Sequence, residues 1–160
     1  MEMLDQMLID IPIVDATVRC SVAVLLGMLI GVERSILKKP ASIRTFSFIS
    51  LGSCIFTLLS LCVVGPVSDP ARIAAQIVSG VGFIGAGVII KDTSNKEKLI
   101  EGITTAAMIW FVAALGMVCG FGYTKFAFVV FGLYLVVAVF GIMLHHMIDK
   151  VRTYIQEMLR

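Results

Sequence analysis

Five apolar blocks, Ala16 to Val32, Thr45 to Val64, Ile73 to Ile90, Ile103 to Phe121 and Phe126 to Met147, are separated by short stretches that hold almost all of the charge. A chain built this way belongs in a lipid bilayer. An α-helix rises ~1.5 Å per residue and the hydrocarbon core is ~30 Å thick, so each block is close to the ~20 residues that one crossing needs. The expected fold is all-α: a single transmembrane domain over 1–160, with a bundle of five helices at about 16–34, 44–64, 70–91, 102–121 and 125–150.

Composition removes the main alternatives. With 59% hydrophobic and 15% charged residues, a water-soluble domain of this length could not bury its apolar side chains. The formal net charge of +2, with no basic patch, excludes nucleic acid as a partner and leaves the lipid bilayer as the main surroundings. Cys20, Cys54, Cys62 and Cys119 fall inside apolar blocks without any metal-ligand spacing, and they read as small packing residues. No metal site, cofactor or catalytic constellation is expected, so the chain does not read as an enzyme.

The distribution of charge sets an expected orientation. Arg34, Lys38, Lys39 and Arg44 follow the first block, Lys91, Lys96 and Lys98 the third, and Lys150, Arg152 and Arg160 the fifth, whereas the opposite connections contribute Arg19, Arg72 and Lys125. By the positive-inside rule the N-terminus is outside and the C-terminus cytoplasmic. Glu2, Asp5, Asp10 and Asp15 precede the first block, where a cleavable signal would be basic, so the first helix reads as a retained signal-anchor. Asp69-Pro70 has the form of a helix start, with Asp69 as N-cap and Pro70 at the first helical position.

The functional candidates are the polar groups that these helices carry into the membrane. Arg19 lies close to membrane depth, where an arginine costs ~3 kcal/mol or more unless paired or snorkelled, with Asp69 as the nearest acidic candidate on the same side. Glu33 and Arg34 close the first helix and Arg44 opens the second, so the hairpin brings them together at the headgroup level. In the third helix Asp69, Arg72, Gln76, Ser79 or Gly80, Phe83 and Gly87 recur at spacings of three and four. Lipid cannot satisfy Gln76, so this stripe is expected to face another helix, a cavity or a subunit. Gly80, Gly82, Gly85 and Gly87 include a G-x-G-x-x-G string, which without a preceding strand is not a nucleotide site. These glycines, with the pairs Gly27 and Gly31 and Gly116 and Gly120, are read as helix-packing positions within the bundle or between subunits, which favours a homo-oligomer, a dimer first.

Four strings taken together carry a family resemblance: Leu26 to Arg34 (LGMLIGVER), Lys39 to Thr45 (KPASIRT), Asp69 to Gly87 (DPARIAAQIVSGVGFIGAG) and Gly102 to Ala107 (GITTAA). They resemble the MgtC/SapB family over about Arg19 to Tyr123, with Ser42 where the family string has glycine. The resemblance implies a multi-pass protein of the bacterial cytoplasmic (inner) membrane, linked to growth in low magnesium and to survival of pathogens inside macrophages. It also implies regulation through other membrane proteins, including the F-type ATP synthase and a phosphate-sensing kinase. Family members commonly carry a cytoplasmic ACT-like domain, whereas this sequence stops at Arg160, as in a short member or a truncation. The leading expectation is a regulator acting by helix packing. The alternative is a small transporter or channel for magnesium or protons using Glu33, Asp69, Arg72 and Gln76, for which the midplane offers no carboxylate.

Overall fold

The computed structural model describes residues 11–62, 69, 71–91 and 100–158. Five helices are present among them: α1 (Ile13–Ile36), α2 (Ile43–Cys62), α3 (Arg72–Val88), α4 (Ile103–Gly120) and α5 (Thr124–Met158). Between α3 and α4 the short strands β1 (Ile90–Lys91) and β2 (Ile100–Glu101) pair antiparallel, Ile90 opposite Glu101. The expected end of the second helix at 64, the start of the third at Pro70 and the polar loop after Lys91 lie outside the described residues. Four helices, α1, α2, α4 and α5, are long and apolar enough to cross a membrane. With its 17 residues, α3 is about 25 Å long, slightly less than the hydrocarbon core.

The chain divides into two units, 1–127 and 128–160. In the first, α2 and α4 lie side by side, and α1 and α3 each pack on both of them. The reason is legible in the small residues. A Cβ added at Gly27 would lie 2.7 Å from the Phe46 carbonyl oxygen, and one at Gly31 would lie 2.4 Å from the Ile43 Cα, so α1 rests directly on the backbone of α2. On the other flank of α2, a Cβ at Gly116 would meet the Ser50 carbonyl oxygen at 2.2 Å, and one at Gly120 would meet the Thr57 Cβ at 2.6 Å. The successive contacts show α1 antiparallel to α2 and α4 parallel to it.

Between these glycine pairs α2 presents a buried face of small residues, Ser50, Ser53, Cys54 and Thr57. Two of the buried α2 hydroxyls are paired, whereas Ser50 Oγ is buried without a partner among the described residues. Thr57 Oγ1 donates to the Ser53 carbonyl at 2.8 Å, and Ser60 Oγ accepts the Ala74 N–H at 3.3 Å, satisfying a first-turn amide of α3. The Sγ atoms of Cys20 and Cys54 lie 3.9 Å apart and both thiols are free, a closer approach across α1 and α2 than chance placement suggests.

Packing of α3 differs from the expectation. It buries Ala74, Ile77, Val81 and Gly85, the last 3.6 Å from Ala106 through an added Cβ, whereas Arg72, Gln76, Ser79, Gly80, Phe83 and Gly87 are exposed. An added Cβ at Gly80, Gly82 or Gly87 meets nothing within 4 Å, so within the described structure these three glycines seat no neighbouring helix. A smooth Ala/Ile/Val/Gly face fits α2 and α4 more closely than one carrying Arg and Gln. The second unit is the continuation of α5, in which Phe131 and Tyr134 stack with ring centroids 5.9 Å apart. At 35 residues α5 exceeds the hydrocarbon thickness, and its last turns, with Asp149, Lys150, Arg152 and Glu157, are polar.

Gly31→Ala and Gly116→Ala place a methyl group against backbone, and each is expected to cost about 2 kcal/mol or more in unfolding from mixed micelles. Gly141→Ala, which meets nothing within 4 Å, is expected to be neutral or up to about 1 kcal/mol stabilising, since alanine is the better helix former. Comparing denaturation midpoints of the three variants checks both signs.

Candidate functional site

Two arginines of α1 tie it to opposite ends of α4. Where α4 terminates, Arg19 Nη1 donates to the Gly120 carbonyl oxygen at 2.9 Å, while Nη2 is ion-paired with Asp15, one turn earlier on α1. The expected partner, Asp69, is not used: its Oδ1 accepts the Ala71 N–H at 2.9 Å in a turn just ahead of α3, whose N-cap is Ala71 rather than the expected Asp69. A carboxylate four residues away on the same helix is always within reach, whereas Asp69 would have to be delivered by another helix. The guanidinium also lies over Gly122, which has a φ of +88°, and an added Cβ there would sit 3.1 Å from the Arg19 Cζ. A cation at the negative end of α4 is electrostatically favourable.

At the other end of α4, Arg34 in the last turn of α1 is 4% exposed. Its Nη2 donates to the buried Thr105 Oγ1 at 3.1 Å, in the first turn of α4. Its Nε has no partner. Glu33 is half-buried, and Arg44, at the start of α2, is exposed. The α1–α2 turn is closed by bonds from Leu37 N–H to the Glu33 carbonyl and from Lys39 N–H to the Arg34 carbonyl, with Lys38 in the left-handed region at φ +53°.

The exposed side of α3 borders a groove of about 510 Å³ shared with α2, lined by Phe48, Gly52, Phe56, Ile73, Gln76 and Gly80, among others. Neither Gln76 nor Arg72 meets a hydrogen-bond partner among the described residues. The sequence-selected cluster is therefore split into three places: Arg19 at one end of α4, Glu33, Arg34 and Arg44 at the other, and Asp69, Arg72 and Gln76 just ahead of α3 and along its open side. No group of three or more His, Cys, Asp or Glu side chains that could hold a metal occurs among the described residues. Sequence reasoning missed Asp15, Thr105 and the small polar face of α2. Asp15 was signalled by its i,i+4 spacing to Arg19, and the α2 face by Ser50, Ser53, Cys54, Thr57 and Ser60 recurring at helical intervals.

Long apolar helices seated on one another through glycine, with arginines only at their ends, define a polytopic helical membrane protein. The chain belongs to the MgtC family, which matches residues 21–147. It is 41% identical over 121 residues to Protein SapB of Bacillus subtilis, an alignment covering 71% of this chain and 51% of that protein. It is 46% identical to Protein MgtC of Brucella abortus over 100 residues (62% of this chain, 40% of that one). Protein MgtC of Salmonella typhimurium is 44% identical over 103 residues (64% and 42%). The chain thus spans about half the length of these relatives or less. No solved structure matches it.

Arg19→Met, which removes both bonds to Asp15 and Gly120, is expected to lower stability by about 1–2 kcal/mol, the guanidinium being only partly buried. Arg19→Lys keeps the charge but cannot reach both acceptors with a planar fork, and is expected to recover about half of that. Thermal unfolding of the purified protein in one detergent ranks the three forms.

Proposed function

We propose that this protein is a non-enzymatic regulator of the bacterial cytoplasmic membrane that acts by packing a partner's transmembrane helix against α3. The observation that carries this reading is the open side of α3, with Gln76 and Gly80 along the groove and Gly87 beyond. Small residues let a second helix approach the backbone closely, and in hydrocarbon an amide without a partner gains a full hydrogen bond when one arrives. A second copy of the chain, as a dimer, is one occupant with the right chemistry, and another integral membrane protein is the other. Membership of the MgtC family supports a role in low-magnesium adaptation and, in pathogens, in survival within macrophages. The F-type ATP synthase and a sensor kinase are candidate partners on the same ground.

In this reading all five helices cross the membrane, the N-terminus is outside and the C-terminus is cytoplasmic. The short α3 crosses with the help of flanking residues or local thinning of the bilayer. The polar residues that a transport pathway would use, Glu33, Asp69, Arg72 and Gln76, are dispersed over both ends of the bundle and its outer side.

A photocrosslinking residue at Phe83, which is 85% exposed, or at Ile84 is expected to capture a protein in native membranes. Capture at twice the chain's mass identifies a second copy. Replacing Gly80 and Gly87 with leucine is expected to abolish capture while leaving the fold intact. Selective magnesium or proton flux in liposomes that is lost in Gln76→Ala, or crosslinking to lipid alone at both positions, overturns the proposal.

A further inference from the structure

Arg34 is a permanently charged group with an incomplete set of partners. Among the described residues no carboxylate pairs with it, its one hydrogen bond goes to the neutral Thr105 hydroxyl, and Nε is buried with no acceptor. Glu33, its neighbour in sequence, projects about 100° away around α1 and makes an interaction of its own. A guanidinium does not deprotonate, so burial cannot be relieved by neutralising it. The carbonyl end of α1 offsets part of the charge, but the residue that Arg34 holds is the third of α4, so the cation also faces the positive end of a helix dipole. Arg19, at the other end of the same helix, likewise leaves its Nε without an acceptor, but its charge has a favourable dipole end, a carboxylate and a carbonyl.

The start of α4 is equally incomplete. Its N-cap is Gly102, at φ +92°, which has no side chain to accept from the first turn, and no side-chain capping bond is made. The first bond of the helix runs from the Ala106 N–H to the Gly102 carbonyl at 2.8 Å, which leaves the N–H groups of Ile103, Thr104 and Thr105 without an intrahelical acceptor. Thr105 Oγ1 accepts from Arg34, so its own proton is available to a further acceptor. Among the described residues, a buried guanidinium Nε–H, a threonine O–H and first-turn amides without an intrahelical acceptor are thus brought to one end of the bundle by the Arg34–Thr105 bond, and every one of them is a donor.

We propose that this end of the bundle binds a phosphate-type oxyanion, held by Arg34, Thr105 and the first turn of α4. A tetrahedral oxyanion presents several oxygens at once, which suits a planar guanidinium fork beside helix amides better than a single-point anion does. Arg34 lies in the last turn of a 24-residue span, at headgroup depth, so the phosphate of an anionic lipid and free inorganic phosphate have the same chemistry here. Bound charge at this point would lock α1 to α4 at one end as Arg19 does at the other. The inference is independent of the partner that docks on α3, because it concerns this chain and its anion alone.

The test uses the full chain in a neutral sugar detergent, with thermal unfolding and ³¹P line broadening as readouts. One arm titrates orthophosphate against chloride at constant ionic strength, and the other adds phosphatidylglycerol against a phosphate-free neutral glycolipid. The wild type is expected to show a rise of several degrees in melting temperature and a broadened phosphorus line in at least one arm, and the responding arm identifies the source of the phosphate. Arg34→Gln is expected to abolish both responses. Arg34→Lys and Thr105→Val are expected to weaken binding about tenfold, with Thr105→Ser restoring it. Should Arg34→Gln not fold, Arg34→Lys and Thr105→Val decide. The proposal is overturned if neither probe acts on the wild type, or if the responses persist undiminished in the variants.

Discussion

The first unit depends on how closely α1 and α4 approach the backbone of α2. Inside a bilayer, moving a leucine from lipid to protein gains almost nothing, because both are hydrocarbon, so helices must be held by dispersion contact and polar bonds. Dispersion falls off steeply with distance, and glycine is the residue that shortens the distance most. Gly27 and Gly31 on one flank, with Gly116 and Gly120 on the other, press against Ile43, Phe46, Ser50 and Thr57, so α2 is clasped along most of its length. The same contact explains why the buried face of α2 is built of serine, cysteine and threonine: larger side chains would hold the glycines away.

Charge then fixes the register of α1 on α4. Two arginines fifteen positions apart on α1 are about 22 Å apart along its axis, close to the separation between the first turn and the last residue of α4. They engage Thr105 and the Gly120 carbonyl, so a one-turn slip of α1 would break both contacts. Because α1 runs antiparallel to α4, one arginine meets the negative end of α4 and the other the positive end. Both leave Nε buried without an acceptor among the described residues, but the asymmetry in their other partners matches that polarity: a carboxylate and a carbonyl at Arg19, one neutral hydroxyl at Arg34.

The sequence made the glycine pairs readable because Gly27 with Gly31 and Gly116 with Gly120 have a spacing that only a helix interface explains, and the all-helical class followed from block length. The partner of each pair was not readable, since any helix with small residues would serve. Hydropathy hides the receiving face of α2, where Thr57 is satisfied along its own helix, Ser60 bonds to α3 and Ser50 is buried for its small size alone. In α3 the polar stripe was expected to face another helix, a cavity or a subunit because lipid cannot solvate it, and hydropathy could not choose among the three; the bundle took the smooth side of the helix, with Ala74, Ile77, Val81 and Gly85, and left Gln76 beside the groove. For Arg19, a partner one turn away won over one that had to come from another helix.

These two outcomes are connected. A trio of α1, α2 and α4 that is already clasped by glycine and pinned at both ends has no need of polar contacts from α3, which joins through one apolar stripe and the Ser60 capping bond. Among α1, α2, α3 and α4, the helix with the fewest ties to the others is also the one that holds Gln76, without a hydrogen-bond partner among the described residues, and the uncovered glycines. A side chain that the packing within the unit does not use, on a helix where its desolvation is costly, is the ground for the partner proposed above. The division is therefore structural: a three-helix core joined through glycine contacts seats α3 by its apolar stripe, and the polar and glycine-bearing side of α3 takes no part in that packing.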